Sequence, residues 1–97
     1  MIFDEVKNYL NVTWTDTDTD SKITGIIERS AAIIAEYAGV ILTAETLAGN
    51  DKQLFLDLCR YIYNNAYEDF VKNFMGDITA MRQKYALAAF KEAEGIA

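Results

Sequence analysis

The stretch DKQLFLDLCRYIYNNAYEDFVKNFM, residues 51–75, decides the fold. Its apolar residues recur at helical spacing and show no strand-like alternation. Phe55, Leu58, Cys59, Ile62 and Ala66 form one stripe at intervals of three and four. With successive residues about 100° apart, Leu56, Tyr63, Tyr67 and Phe74 form a second stripe about a quarter-turn away. Phe70 lies between the two. The opposite side carries Asp57, Asn64, Glu68 and Lys72, with Glu68 and Lys72 at the favourable i,i+4 spacing. The spacing therefore predicts one long helix over 51–75, the longest of the chain. Two explanations of its second stripe stand side by side: a central helix covered on two sides, or a face that meets another subunit.

The segments around it also read as helix. The chain has no Pro and five Gly, which leaves little to interrupt helices. Residues 4–11 place Val6, Tyr9 and Leu10 at helical spacing, with Asp4 and Glu5 where the helix dipole favours negative charge. Residues 15–20, TDTDTD, resist helix and favour turns and caps. Asp18 or Asp20 is expected to cap a second helix that runs to about Ala38. Ile23, Ile26, Ile27, Ser30, Ile34 and Tyr37 make its broad apolar face, and Lys22, Arg29 and Glu36 recur at seven-residue intervals on the other side. Gly39 stands where a left-handed C-cap belongs. After a connector with a short turn near Ala44 to Leu47, Gly49-Asn50-Asp51 opens the long helix. Gly76 is expected to break it, with Asp77 capping a fourth helix along Ile78, Met81, Tyr85 and Ala88. The expected fold is all-α, a single-domain bundle of about four helices over 1–97, the third longest and residues 93–97 frayed.

Composition narrows function. Fifty-two per cent hydrophobic and 12% aromatic residues are too many for a disordered chain. With no His and only Cys59, the usual zinc sites and Ser/His or Cys/His nucleophile pairs cannot be built. A lone cysteine makes no internal disulfide. No apolar run approaches the ~18 residues of a membrane span, and the N-terminus lacks the pattern of a signal peptide. A soluble intracellular domain is expected. The net charge of −6 sits mostly in residues 1–50, which carry eight acidic and three basic side chains. Such a chain repels phosphate backbones, and Arg82, Lys84 and Lys91 are sparse as a basic patch.

Candidate chemistry is thin. Asp16-x-Asp18-x-Asp20 resembles the start of a calcium loop, but the sixth position is Ser21 and the twelfth Ile27, where Gly and Glu are needed. The carboxylate pairs Asp4–Glu5, Glu68–Asp69 and Glu92–Glu94 are adjacent or nearly so and diverge around a helix, so neither catalysis nor a cofactor is expected. Cys59, on the core stripe, reads as a buried inert thiol.

The order of elements carries a resemblance. Phe3 to Val12 resembles the opening helix of the tailed-phage head–tail connector family, also called head-completion or adaptor proteins. Asp16 to Asp20, Ile23, Ile26, Ile27, Ile34 and Tyr37-Ala38-Gly39 look like that family's acidic loop and its helix ending in Tyr-x-Gly. Leu58 to Tyr61, Glu68-Asp69-Phe70 and Ile78 to Arg82 look like its second half. Met1-Ile2-Phe3 lacks the Thr or Ser cap that many relatives place there, and residues 84–97 extend past the last matching motif.

The resemblance implies a structural virion protein without enzymatic activity or cofactor, located at the head–tail junction and made in the host cytoplasm. Its implied partners are its own copies in a ring, the portal protein, and the next connector or tail-completion protein. Genomic DNA would pass through without sequence-specific binding, and no membrane is involved. The candidate subunit interface comprises Lys22 and Arg29 on one surface and Leu56, Tyr63, Tyr67 and Phe74 on another. The alternative is a small cytoplasmic helical adaptor that binds one protein partner through the aromatic stripe.

Overall fold

The computed structural model describes residues 2–93. Among them lie four α-helices: α1 (Ile2–Tyr9), α2 (Thr17–Ala38), α3 (Gly49–Tyr63) and α4 (Tyr67–Ala93). A single 3-10 turn at Ala44–Thr46 lies between α2 and α3. Of the stretch expected to fray, only Ala93 is within the described residues.

The long helix expected over 51–75 is two helices. Asn65 adopts a left-handed backbone with φ of 57°, and its N–H donates to the Ile62 carbonyl at 3.0 Å. The Ala66 N–H reaches back to the Tyr61 carbonyl at 2.7 Å. These two bonds make a Schellman cap, with Asn where Gly is commoner. Asn64 adds a side-chain bond to the Arg60 carbonyl at 3.0 Å. The same device ends α1: Asn11 has φ of 60°, its N–H donates to Asn8 O, and the Val12 N–H donates to Lys7 O at 2.9 Å. Asn is the side chain that best tolerates this conformation after Gly, because its short polar group bonds locally.

The expected break at Gly76 takes a different form. Helical hydrogen bonding continues through it, and Phe74 (φ −116°, ψ 18°) leaves helical geometry, so that α4 kinks and does not end. The fourth helix, not the third, is therefore the longest. The cap of α2 also lies upstream of its expected place. Asp16 accepts from the Thr19 N–H and the Thr19 hydroxyl, each at 2.8 Å, which starts the helix at Thr17 and places Asp18 and Asp20 inside its first turn. These backbone and side-chain hydrogen bonds from Thr19 hold the Asp16 carboxyl below its usual pKa. At the other end Gly39, with φ of 75°, donates to Ala35 O as a left-handed cap.

The core forms where the apolar faces meet. α2 touches the other three helices and the 3-10 turn, while α1 and α4 also pack on α3. Ile23, Ile26 and Ile34 of α2 are buried with Phe55, Leu58, Cys59 and Ile62 of α3. Val6 closes the core from α1, and Phe70, Ile78 and Met81 close it from α4. Each such side chain, fully buried, contributes about 1.5–3 kcal/mol of transfer free energy. Ser30 is buried among them, its hydroxyl beside the Cys59 thiol. Burial pushes the Cys59 thiol up to about 11, which the Ser30 hydroxyl opposes, so the thiol stays protonated and inert.

The left-handed turn can be tested directly. Asn65→Gly is expected to leave the melting temperature unchanged or slightly higher. Asn65→Ala is expected to cost about 1 kcal/mol, because a Cβ without a local hydrogen bond is strained there. Thermal unfolding followed by circular dichroism measures both; equal stability of the two variants would remove the cap's importance.

Candidate interaction surfaces

α2 presents Lys22 and Arg29 two turns apart, and the break at Asn64–Ala66 leaves Tyr63 ending α3 and Tyr67 beginning α4. Packing lays these four along one seam. The Lys22 Nζ sits 5.0 Å from the centre of the Tyr63 ring, and the Arg29 guanidinium carbon 5.4 Å from that of Tyr67. Each such contact contributes about 0.5–1 kcal/mol at an exposed site. The Tyr67 hydroxyl meets that of Tyr37 at 2.9 Å. Burial, and then this neighbour, raises the Tyr37 pKa. Residues that the sequence assigns to two separate surfaces thus meet inside one chain.

The other two candidate residues stand elsewhere. Leu56 is half-buried against the core. Phe74 stacks on Phe70 at 4.8 Å between ring centres and meets Tyr61 edge-on at 5.6 Å. The second stripe is not continuous because the helix carrying it is not continuous.

A second cluster joins the start of α3 to the middle of α4. The buried Asp51 carboxylate accepts two bonds from the Lys84 Nζ, at 2.9 and 2.8 Å, and one from the Tyr85 hydroxyl at 2.5 Å. Burial alone would raise the Asp51 carboxyl; the bonds from Lys84 and Tyr85 outweigh it and hold the group below its usual pKa. The same bond, followed by burial, raises Tyr85. Nearby, Asp57 accepts from the Tyr9 hydroxyl and from Gln53. Burial first, then Asp57, raises the Tyr9 pKa. Asp51, Asp57, Asp77 and Lys84 line a cleft of about 200 Å³ over Leu54 and Met81. No sequence spacing points to this cluster, since its partners lie 33 and 34 residues apart.

The carboxylates singled out by sequence occupy other places. Asp20 pairs with Lys7 at 3.3 Å, and Asp16 is spent on capping. Glu68 and Asp69 are exposed in the first turn of α4 and do not line the cleft. Among the described residues, no three carboxylate or thiol side chains converge in a way that would hold a metal ion. No described helix is long and apolar enough to cross a membrane.

Two further surfaces stand open. The last buried residue of α4 is Met81 and the last half-buried one Tyr85; residues 86–91 are all exposed, including Leu87 at 55% and Phe90 at 59%. This arm helps lengthen the molecule to 50 × 27 × 18 Å, with a radius of gyration of 14.7 Å. A compact domain of this length has about 13 Å. Between α1 and α2 runs a shallow groove of about 640 Å³, lined by Phe3, Asp20, Ser21, Thr24, Gly25 and Glu28, with Thr17 at its end.

No protein-family profile, curated protein or solved structure matches this chain.

The Asp51 cluster generates a pH prediction. Because its folded pKa is depressed below the unfolded value of about 3.9, its contribution is fully present above that value and is lost as pH falls through the folded pKa. Asp51→Asn is expected to lower the unfolding free energy at pH 7 by about 1–2 kcal/mol. Urea titrations should show the gap to the parent protein narrowing below about pH 4. A gap independent of pH would exclude the charged carboxylate as its source.

Proposed function

We propose that this chain is a structural assembly protein of a tailed phage, a head–tail connector that acts without catalysis or a cofactor. Copies arrange in a ring beneath the portal, prolong the DNA channel, and offer a platform to the next connector or tail-completion protein. One observation carries the reading: the motifs of the first half of the resemblance coincide with the joints of the fold. Phe3 to Val12 is α1 with its Asn11 cap. Asp16 to Asp20 is the capped start of α2, and Tyr37-Ala38-Gly39 is its left-handed end.

Two physical features agree with this reading. A cyclic assembly needs two different surfaces on each subunit, and the α4 arm and the α1–α2 groove are different surfaces. A wall around moving DNA must not grip phosphates, and a net charge of −6 opposes counterion-release binding.

The test is electron microscopy of phage lysates with and without the gene. The expected result is separate finished tails beside heads that are empty or leaking DNA. Normally joined virions in the absence of the gene would remove the connector reading and favour an adaptor that binds a single protein partner.

A further inference from the structure

We propose that the joint between α3 and α4 is a hinge on which two copies of this chain exchange α4. Asn64–Ala66 straightens into helix, and the α4 of each copy packs in the core of the other. The inference goes beyond the connector reading and does not depend on it.

The joint suits two conformations. It is three residues long and holds neither Gly nor Pro. Asn65, at φ of 57°, turns the chain, while Asn64 stays at a negative φ of −93°. The apolar register runs straight across it: Ile62, Ala66 and Phe70 follow at intervals of four, and Tyr63 pairs with Tyr67, as in one helix. The turn caps the end of α3 but leaves the start of α4 without a side-chain cap. Ala66, the residue ahead of α4, has no oxygen to accept from its first N–H groups. In a continuous helix the Tyr67 and Glu68 N–H groups would donate to the carbonyls of Tyr63 and Asn64. Because Asn tolerates both the left-handed and the helical region, the two states of the joint lie close in energy.

The core names the partner. Phe70, Ile78 and Met81 of α4 are buried, so α4 cannot leave without exposing them and the faces of α2 and α3 that they cover. The surface already fitted to that gap is the α4 of a second copy. The contacts that fasten α4 all cross the joint. The Tyr67 hydroxyl meets that of Tyr37, Phe70 and Phe74 meet Tyr61, Asn73 donates to the Tyr61 hydroxyl at 3.2 Å, and Lys84 and Tyr85 hold Asp51. Since every one of those partners precedes Asn64, exchange rebuilds each contact between chains. A straight joint also excludes the self-contained fold. It makes residues 49–73 one helix about 37 Å long, which carries Lys84 away from Asp51 of its own chain. Such exchange is a low-cost route to a dimer, because its main interface already exists in the monomer.

Refolding from urea at high protein concentration, followed by light scattering after dilution, tests the hinge. The parent is expected to yield a dimer fraction that persists on dilution, because reversal requires α4 to leave the core. Asn65→Gly favours the turn, keeps the monomer folded, and should lower the dimer fraction several-fold. Asn64→Ala with Asn65→Ala favours continuous helix and should raise the dimer-to-monomer ratio by about fivefold for each of the two hinges. Cross-linking identifies the exchange itself. Gln53→Cys on α3 and Ala80→Cys on α4 replace exposed residues lining one cleft, and buried Cys59 stays unreactive. With a short bis-maleimide, the two single variants refolded together should give cross-linked dimers, which neither gives alone. The same variants folded apart and then mixed should give none. Equal cross-linking in both mixtures would mean association of intact copies and overturn the exchange. A dimer fraction unchanged by the Asn substitutions would overturn the hinge, and a parent that stays monomeric after refolding at its highest soluble concentration would overturn both.

Discussion

A single backbone position, Asn65 at φ of 57°, turns the chain from α3 into α4, and most of the tertiary structure depends on it. If helix continued through Asn64 and Asn65, Tyr61 could not receive Phe70 and Phe74 on its faces. Lys84 and Tyr85 would then be far from Asp51 at the opposite end of α3. The turn converts one long rod into two helices that share a core, and it leaves the end of the second beyond that core. Its cost is small because Asn accepts the left-handed region and the carbonyls of Arg60, Tyr61 and Ile62 are bonded across the turn.

The distribution of charge follows the same geometry. Three of the basic residues, Lys7, Lys22 and Arg29, are occupied within the chain by Asp20, Tyr63 and Tyr67. Lys52 similarly meets Glu5, joining α3 to α1. These contacts engage all three cations of residues 1–50, a part of the chain that carries eight acidic side chains. A net charge of −6 opposes counterion-release binding to nucleic acid, which agrees with the assembly role proposed above. That combination is why an assembly role is preferred here to a catalytic one. The cleft beside Asp51 does not alter this preference, since two of its carboxylates are already engaged by Lys84, Tyr85, Tyr9 and Gln53.

The apolar stripes were readable because they are local: Ile23, Ile26 and Ile34, or Phe55, Leu58 and Ile62, lie within a few turns and face one way. The Gly39 cap was readable for the same reason, because glycine after an apolar run has one usual meaning. The Asn65 cap was not anticipated, although Asn64-Asn65 carried the signal. Asn is compatible with a helix interior as well as with its end, and the i,i+4 pair Tyr63–Tyr67 appeared to continue across it. Of the candidate interface, Lys22 and Arg29 belong to one helical face in the sequence and Tyr63 and Tyr67 to another. Only packing showed that the faces meet.

The sequence by itself determined that the fold is all-α with about four helices, where α2 ends, and most of the residues that α2 and α3 turn inward. Hydrophobic spacing and glycine act over a few residues, so no other part of the chain is needed to read them. Tertiary structure alone decided that Asp51 would be neutralised by residues 33 and 34 positions away, that Lys22 and Arg29 would lie on tyrosines of other helices, and that Leu87 and Phe90 would be left uncovered. Those outcomes depend on the angle at which helices cross and on where each one runs past its neighbours. That angle was set by a three-residue turn, and no periodicity along the chain records it.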